Sequence, residues 1–258
     1  MSNHYKAALF FISVLIILAV AKGFMAVPLW YFITTAALWL LVAIIGSSFI
    51  SSGYHVKTWC GNPSETQKRI SLTFDDGPHE MTEAVLDVLK KHQTKATFFC
   101  IGKNIEKHPH IFERIIAEGH LIGNHSYSHS RFFDFYRKDR VLTELIKTDQ
   151  LIEQQTGHTP MYFRPPYGVT NPSIRRALAV TGHKVIGWNI RSLDGVIKNE
   201  NTIFNRIIKR IAPGGIVLLH DTSIQTVNVL ERLLVTLREK NYEVVPLGQL
   251  LNIKAYEN

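Results

Sequence analysis

Ile70-Ser71-Leu72-Thr73-Phe74, running directly into Asp75-Asp76-Gly77-Pro78, is the stretch from which the fold of this chain is read. A β-rich run with Ile70, Leu72 and Phe74 on one face is followed by two carboxylates and a Gly-Pro break, the pattern of a strand ending in a functional turn. Comparable runs recur at Ala96–Ile101, Leu121–Gly123, Met161–Arg164, Val185–Trp188, Ile216–Leu219 and Glu243–Pro246. Helix-period segments lie between them. Thr82–Lys91 carries Val85, Leu86 and Leu89 on one face, and Val227–Leu237 carries Leu230, Leu233, Leu234 and Leu237. Strands alternating with helices between residues 70 and 246 predict an α/β fold with parallel strands, either an open doubly wound sheet or a barrel of fewer than eight units. Polar residues gather just after the strands, where such folds build their sites.

Outward from this region the chain divides in two. It has 258 residues, 46% of them apolar, which suits one catalytic-sized domain beside a membrane segment. No Asp or Glu precedes Glu65, and the first 50 residues carry only Lys6 and Lys22 as fixed cations. Ala7–Ala21 is apolar or small throughout, and Phe24–Ile50 holds 27 residues without a charge. At 1.5 Å per residue the second run reaches roughly 40 Å, past a hydrocarbon core of roughly 30 Å, and the first reaches about 22 Å unless Tyr5 and Lys22 extend it. The expectation is a transmembrane helical hairpin over residues 1–52, with Pro28 in the first turn of its second helix and Trp30, Tyr31 and Trp39 near the interfaces. The alternative is a cleavable leader ending at Ala19-Val20-Ala21, followed by one anchor. Two spans put the N-terminus and the domain on one side. Lys22 in the turn favours a cytoplasmic turn, hence an extracytoplasmic domain in contact with membrane lipid. Residues 53–67 read as a tether, and 68–258 as the catalytic domain.

Several function classes drop out. The net charge of +8 leaves 27 basic against 21 acidic residues beyond residue 50, scattered without an aromatic-basic stripe, so nucleic acid is not a partner. No G-x-G-x-x-G or P-loop follows a strand, which removes the usual nucleotide signature. Two cysteines, Cys60 and Cys100, make neither a disulfide framework nor a Cys-based zinc site.

Chemistry-bearing residues stand at the strand ends. Neighbouring side chains on a strand point to opposite faces, so Asp75 and Asp76 serve one site only where the strand breaks, one holding a metal and the other accepting a proton. His125-Ser126-Tyr127-Ser128-His129 offers two imidazoles four residues apart, which on a helical turn can grip one ion, with a carboxylate completing the set. Two histidines and one aspartate leave coordination positions open for water and substrate. Arg164-Pro165-Pro166-Tyr167-Gly168, Asp194 and Leu218-Leu219-His220-Asp221 end further strands. Taken singly, these are also ordinary ion-pair, turn and strand-end residues.

In order, T-F-D-D-G, H-S-x-x-H, R-P-P-Y-G and L-L-H resemble the motifs of the NodB-type polysaccharide deacetylase family, carbohydrate esterase family 4, over roughly Arg69–Leu251. The resemblance implies a distorted (β/α) barrel with about seven strands. It implies Asp75 as base, Asp76, His125 and His129 as metal ligands, and His220 as acid. Arg164 then orients the base, the Tyr167 N–H serves the oxyanion, and Asp194 tunes the arginine or the acid. Gly195 departs from the pattern, standing where many members have Trp, so the apolar wall around the acid is either thinner or supplied from elsewhere in the chain. The implied cofactor is a divalent metal, Zn2+ first by ligand type, with Co2+, Ni2+ and Mn2+ also accepted. The implied reaction is removal of N-acetyl groups from an acetylated glycan such as peptidoglycan or another envelope polysaccharide. O-acetyl ester or small-amide hydrolysis at the same centre, and a non-catalytic glycan-binding protein, are the competing readings. Phe132, Phe133, Phe135 and Tyr136 are candidates for stacking on sugar or for core packing.

Overall fold

The strand that ends in the paired aspartates lies inside the sheet, with neighbours on both sides, and every other element is arranged around it. The structure is a computed structural model and describes residues 3–257. Two apolar helices come first, α1 (Asn3–Lys22) and α2 (Leu29–Ser48). The strands are then β1 (Thr58–Trp59), β2 (Arg69–Asp75), β3 (Thr97–Cys100), β4 (Leu121–Asn124), β5 (Tyr162–Phe163), β6 (Lys184–Ile186), β7 (Ile190–Arg191), β8 (Gly215–His220) and β9 (Glu243–Val244). Helix α3 (Glu80–Lys91) follows β2, while α4 (Gly102–Lys107) and α5 (Pro109–Ala117) follow β3. Helices α6 (Lys138–Thr156) and α7 (Pro172–Thr181) lead into β5 and β6, and α8 (Glu200–Ile208) and α9 (Ile224–Glu239) flank β8. The short α10 (Leu247–Leu251) comes last.

Sheet order is β1-β6-β5-β4-β3-β2-β8-β7, with β9 paired to the start of β2. All strand pairings are parallel. The sheet curls. Asn62 N–H donates to the Gly214 carbonyl at 2.9 Å and Gly61 bridges Gly215, which brings the chain beside β1 round to the start of β8. Among the described residues no ladder joins the edge strands β1 and β7, so the result is a half-barrel, the distorted barrel expected from the motifs.

Residues of β2 alternate as a strand dictates. Ile70, Leu72 and Phe74 enter the main core with Leu86, Leu89, Leu230 and Leu233 from α3 and α9, while Ser71, Thr73 and Asp75 make polar contacts instead. Each fully buried Leu or Phe of that core contributes about 1.5–3 kcal/mol. On the opposite face, Phe99, Tyr162, Ile186 and Ile216 pack with Leu247 and Leu250 of α10.

All seven strand-like runs form strands. Two further strands, β1 and β7, are each two residues long, too short for any periodicity to show. Of the two, β1 lies within residues 53–67, the expected tether, which is packed on the domain here: Thr58 and Trp59 pair with Val185 and Ile186, and Val56 and Cys60 pack on a core cluster. Both α1 and α2 have 20 residues and are long and apolar enough to cross a membrane. Trp39, expected near an interface, sits instead at mid-helix in α2, stacked on Phe11 of α1. The reason is packing within the hairpin.

Candidate active site

The break after β2 falls at Asp76 itself. Asp76 has φ 75, so its side chain turns back beside that of Asp75 rather than to the opposite face. Asp221 supports the turn from behind: a Cβ on Gly77 would stand 2.2 Å from Asp221 Oδ2, leaving space there only for glycine. Helix α3 begins directly afterwards, because His79 caps Met81 N–H and Thr82 Oγ1 accepts from His79 N–H at 2.8 Å.

His125 and His129 do meet, but not on a helical turn as the four-residue spacing suggested. Residues 125–129 form a loop after β4 in which Ser126 has φ 64 and His129 φ 44. Glu144 of α6 holds this loop. Its carboxylate accepts from Tyr127 N–H at 3.1 Å, Ser128 N–H at 2.7 Å and Ser128 Oγ at 2.8 Å. Nothing in the sequence marked Glu144, since a glutamate on an amphipathic helix reads as a solvated face.

Three side chains converge from these two loops. Asp76 Oδ1 lies 3.5 Å from His125 Nε2 and 3.4 Å from His129 Nε2, and one ligand atom from each lies within 4.8 Å of the others. His125 Nδ1 is bound to the Arg164 carbonyl at 2.7 Å, which commits that nitrogen as donor and turns the Nε2 lone pair toward Asp76. Asp76 Oδ1 is buried without a hydrogen-bond partner. A buried anionic oxygen facing two imidazole nitrogens, with no donor supplied, is a donor set that fits a divalent cation.

The electrostatics agree. Burial alone would push the Asp76 carboxyl up, but His125 beside it, with the charges of His129 and His220, holds it well below the usual carboxylate range. Burial and repulsion from His125 pull His129 down to about 4, leaving it neutral at pH 7. For His125 the pull of Asp75 and Asp76 outweighs burial and raises it, a preference for positive charge that a bound cation can satisfy in place of a proton.

Arg164 is fully buried beside this cluster. Nη1 donates to Asp75 Oδ1 at 2.6 Å and to Thr73 Oγ1 at 2.9 Å, while Nε and Nη2 donate to the carbonyls of Ile186 and Gly187, each at 3.1 Å. Asp75 Oδ2 is left facing His125 Nε2 at 3.8 Å. The Pro165–Gly168 turn places Tyr167 at φ 59, and the turn's own bonds run from Gly168 N–H to Pro165 and from Val169 N–H to Pro166, leaving the Tyr167 N–H outside them. Non-glycine residues with positive φ are costly, about 1–3 kcal/mol each, and Asp76, His129 and Tyr167 all line one cleft.

On the cleft's far side stands His220, at the end of β8. Asp194 holds its Nδ1 at 2.7 Å and its backbone N–H at 2.8 Å, and also accepts from Ser192 and Thr226. Of the two partners expected for Asp194, the acid and the arginine, it is His220 that it contacts. Burial would lower His220, but the Asp194 hydrogen bond and charge, with Asp75 and Asp76, raise it to about 9. A Cβ on Gly195 would meet the His220 ring at an ordinary 3.7 Å, so the wall is open there, and Trp188 and Leu218 supply the apolar lining. Phe133 and Tyr136 belong to the core, while Phe132 and Phe135 are exposed.

The chain has relatives among known proteins. Residues 62–186 match the family described as polysaccharide deacetylase. A peptidoglycan-N-acetylglucosamine deacetylase of Listeria monocytogenes is 34% identical over 74% of this chain, which spans 40% of that relative's length. One from Bacillus cereus is 32% identical over 73% of this chain and 90% of its own. Among solved structures, a peptidoglycan N-acetylglucosamine deacetylase in complex with 4-naphthalen-1-yl-N-oxidanyl-benzamide superposes with TM-score 0.73 at 32% identity, covering 78% of this chain and 95% of the other. A pseudoenzyme from Bacillus anthracis superposes with TM-score 0.70 at 28% identity, covering 76% and 69%. Sequence and fold agree, and the chain belongs to the polysaccharide deacetylase family.

Proposed function

We propose that this chain is a metal-dependent hydrolase, anchored by α1 and α2 with its catalytic domain outside the cytoplasm, that removes N-acetyl groups from an N-acetylated envelope glycan. The observation that carries this reading is the partnerless Asp76 Oδ1, buried between two histidine nitrogens at 3.4 and 3.5 Å. The names of the relatives supply the substrate class, peptidoglycan sugars. The ligand of the solved relative carries an N-hydroxyamide, a group whose two oxygens chelate metals. The membrane-facing unit is residues 1–52, and the catalytic unit is the remainder including β1.

Asp76, His125 and His129 would hold the metal, Zn2+ by ligand type, with Co2+, Ni2+ or Mn2+ acceptable to the same donors. Such an ion, when bound, acidifies water and polarises the acetyl carbonyl. Asp75 takes the proton of the attacking water, as the carboxylate in the cleft whose oxygen Oδ1 is already fixed by Arg164. The Tyr167 N–H donates to the oxygen that becomes negative as the carbonyl carbon turns tetrahedral, worth about 3–4 kcal/mol for one such donor. His220, protonated and held by Asp194, gives its proton to the amine nitrogen as the C–N bond breaks. The products are acetate and a free amine.

Purified full-length protein incubated with N-acetylated oligosaccharides tests the reading. It is expected to release acetate and primary amine in equal amounts, to lose that activity to a chelator, and to regain it with added metal. Acetate without amine would make it an O-acetyl esterase. No acetate from metal-loaded protein would leave a glycan-binding protein.

A further inference from the structure

The two apolar helices are fastened to the catalytic domain, and fastened beside its active site. His4 N–H donates to the Tyr54 carbonyl at 2.8 Å, Asn3 Nδ2 to the Ser52 carbonyl at 3.0 Å, and Arg175 Nη2 to the Tyr5 hydroxyl at 2.7 Å. At the end of α2, Gly46 packs directly on the Tyr54 ring, where a Cβ would come within 2.5 Å. Ser47 Oγ pairs with His55 Nε2 at 2.9 Å, and the Ser47 carbonyl accepts from Thr170 N–H at 3.0 Å. Thr170 follows directly on the turn that carries Tyr167. Ile50 stands against Gly187, whose carbonyl binds Arg164 Nη2. The hairpin thus touches the supports of the cleft itself.

These contacts set the height of the site. Tyr167 lies three residues from Thr170, so the cleft is within roughly 11 Å of chain from the last turn of α2. With α1 and α2 spanning, that turn lies at the hydrocarbon boundary, and the headgroup layer beyond it is only about 5–8 Å deep. Because the anchor is docked, the site cannot swing outward on a long arm.

Two features on the same side suit a lipid surface. Phe49, Phe132 and Phe135 are exposed by 61%, 54% and 84%, and the loop carrying the latter two is tied next to Thr170 by a 2.8 Å bond from Asn171 Nδ2 to the Asp134 carbonyl. Arg131, Arg137 and Lys138 flank these rings, the pairing of apolar and basic groups that settles at headgroups. A cleft lined by Tyr5, His55, Lys57 and Arg175 offers two fixed cations and no carboxylate to a lipid phosphate.

Resting on the deacetylase reading above, we infer that the substrate is an N-acetylated saccharide carried on a lipid phosphate in the same bilayer, rather than a strand of distant wall polymer. The test uses full-length protein in vesicles of phosphatidylglycerol and phosphatidylcholine. A prenyl-diphosphate-linked N-acetylglucosaminyl saccharide in those vesicles is compared with the same saccharide free in solution and with insoluble peptidoglycan. Confinement to one surface raises effective concentration, so kcat/KM for the lipid-borne saccharide is expected to exceed the others by about tenfold or more. Phe135→Ser is expected to reduce the lipid-borne rate several-fold while leaving the free-saccharide rate unchanged. Equal or faster turnover of the free saccharide or the polymer would overturn the inference and leave the deacetylase reading standing. Equal loss on both substrates in Phe135→Ser would assign that ring to sugar and overturn the membrane-facing placement. No acetate from any of the three substrates would overturn both readings.

Discussion

Asp194 Oδ1 lies 2.7 Å from His220 Nδ1, and the same carboxylate accepts the His220 backbone N–H through its other oxygen. One aspartate thereby fixes the ring's tautomer, its orientation and its charge. As the proposed acid, His220 works only while protonated, so activity is expected to fall as pH rises through its pKa, about 9 in the metal-free protein. A bound dication offsets the contributions of Asp75 and Asp76 but leaves that of Asp194. Asp194→Asn is expected to move the alkaline limb of the pH–rate profile down by more than one unit and to lower kcat by about 10²–10³-fold. An unmoved alkaline limb would remove His220 as the acid.

Arg164 is the largest fully buried side chain and satisfies four oxygens at once. Arg164→Met strands the Asp75 carboxylate and the carbonyls of Ile186 and Gly187 without a donor. The expected cost is about 3–5 kcal/mol by denaturant unfolding, together with loss of turnover. A lysine cannot reproduce the fork, so Arg164→Lys is expected to recover little of either.

Glu144 is expected to matter to the metal without touching it. Removing its carboxylate in Glu144→Ala frees the Tyr127 and Ser128 N–H groups and loosens the loop that brings His129 to Asp76. Metal affinity, read by competition with a chromogenic chelator, is expected to weaken by about 10–100-fold while the fold is retained. Unchanged affinity would show that the loop holds its shape unaided.

Asp221 behaves as a buried acid. Burial raises it to about 7, Thr82 being its side-chain partner at 2.6 Å, with Oδ1 left without one. The folded state therefore holds a proton that the unfolded chain releases near its usual 3.8. Its stabilising contribution is complete below that value and is lost as pH rises to about 7. In the metal-free protein, Asp221→Asn is expected to flatten the fall in unfolding free energy over this interval. Identical slopes would mean that the carboxyl is ionised throughout.

The long apolar strands and the motif residues were legible because both are local: β2 is seven residues of one pattern, and Asp75, Asp76, His125, His129, Arg164 and His220 sit where those runs end. What was not legible depends on contacts between distant segments. Strands β1 and β7 are two residues each and exist because neighbours pair with them. The histidine pair meets through left-handed backbone at Ser126 and His129, a conformation no i, i+4 spacing encodes. Glu144 holds the loop only because α6 passes under it, and the bond from Thr170 N–H to Ser47 at the end of α2 joins residues 123 positions apart in the chain.

The central claim is that Asp76, His125 and His129 hold one divalent ion beside a free base, and metal content of purified variants tests it most directly. Wild-type protein and Asp75→Asn are expected to carry about one ion per chain, the latter without turnover. Asp76→Ala and His125→Ala are expected to lose ion and activity together while keeping the circular dichroism of the fold. Metal bound equally by all four proteins, or by none of them in the presence of excess zinc, would contradict the account.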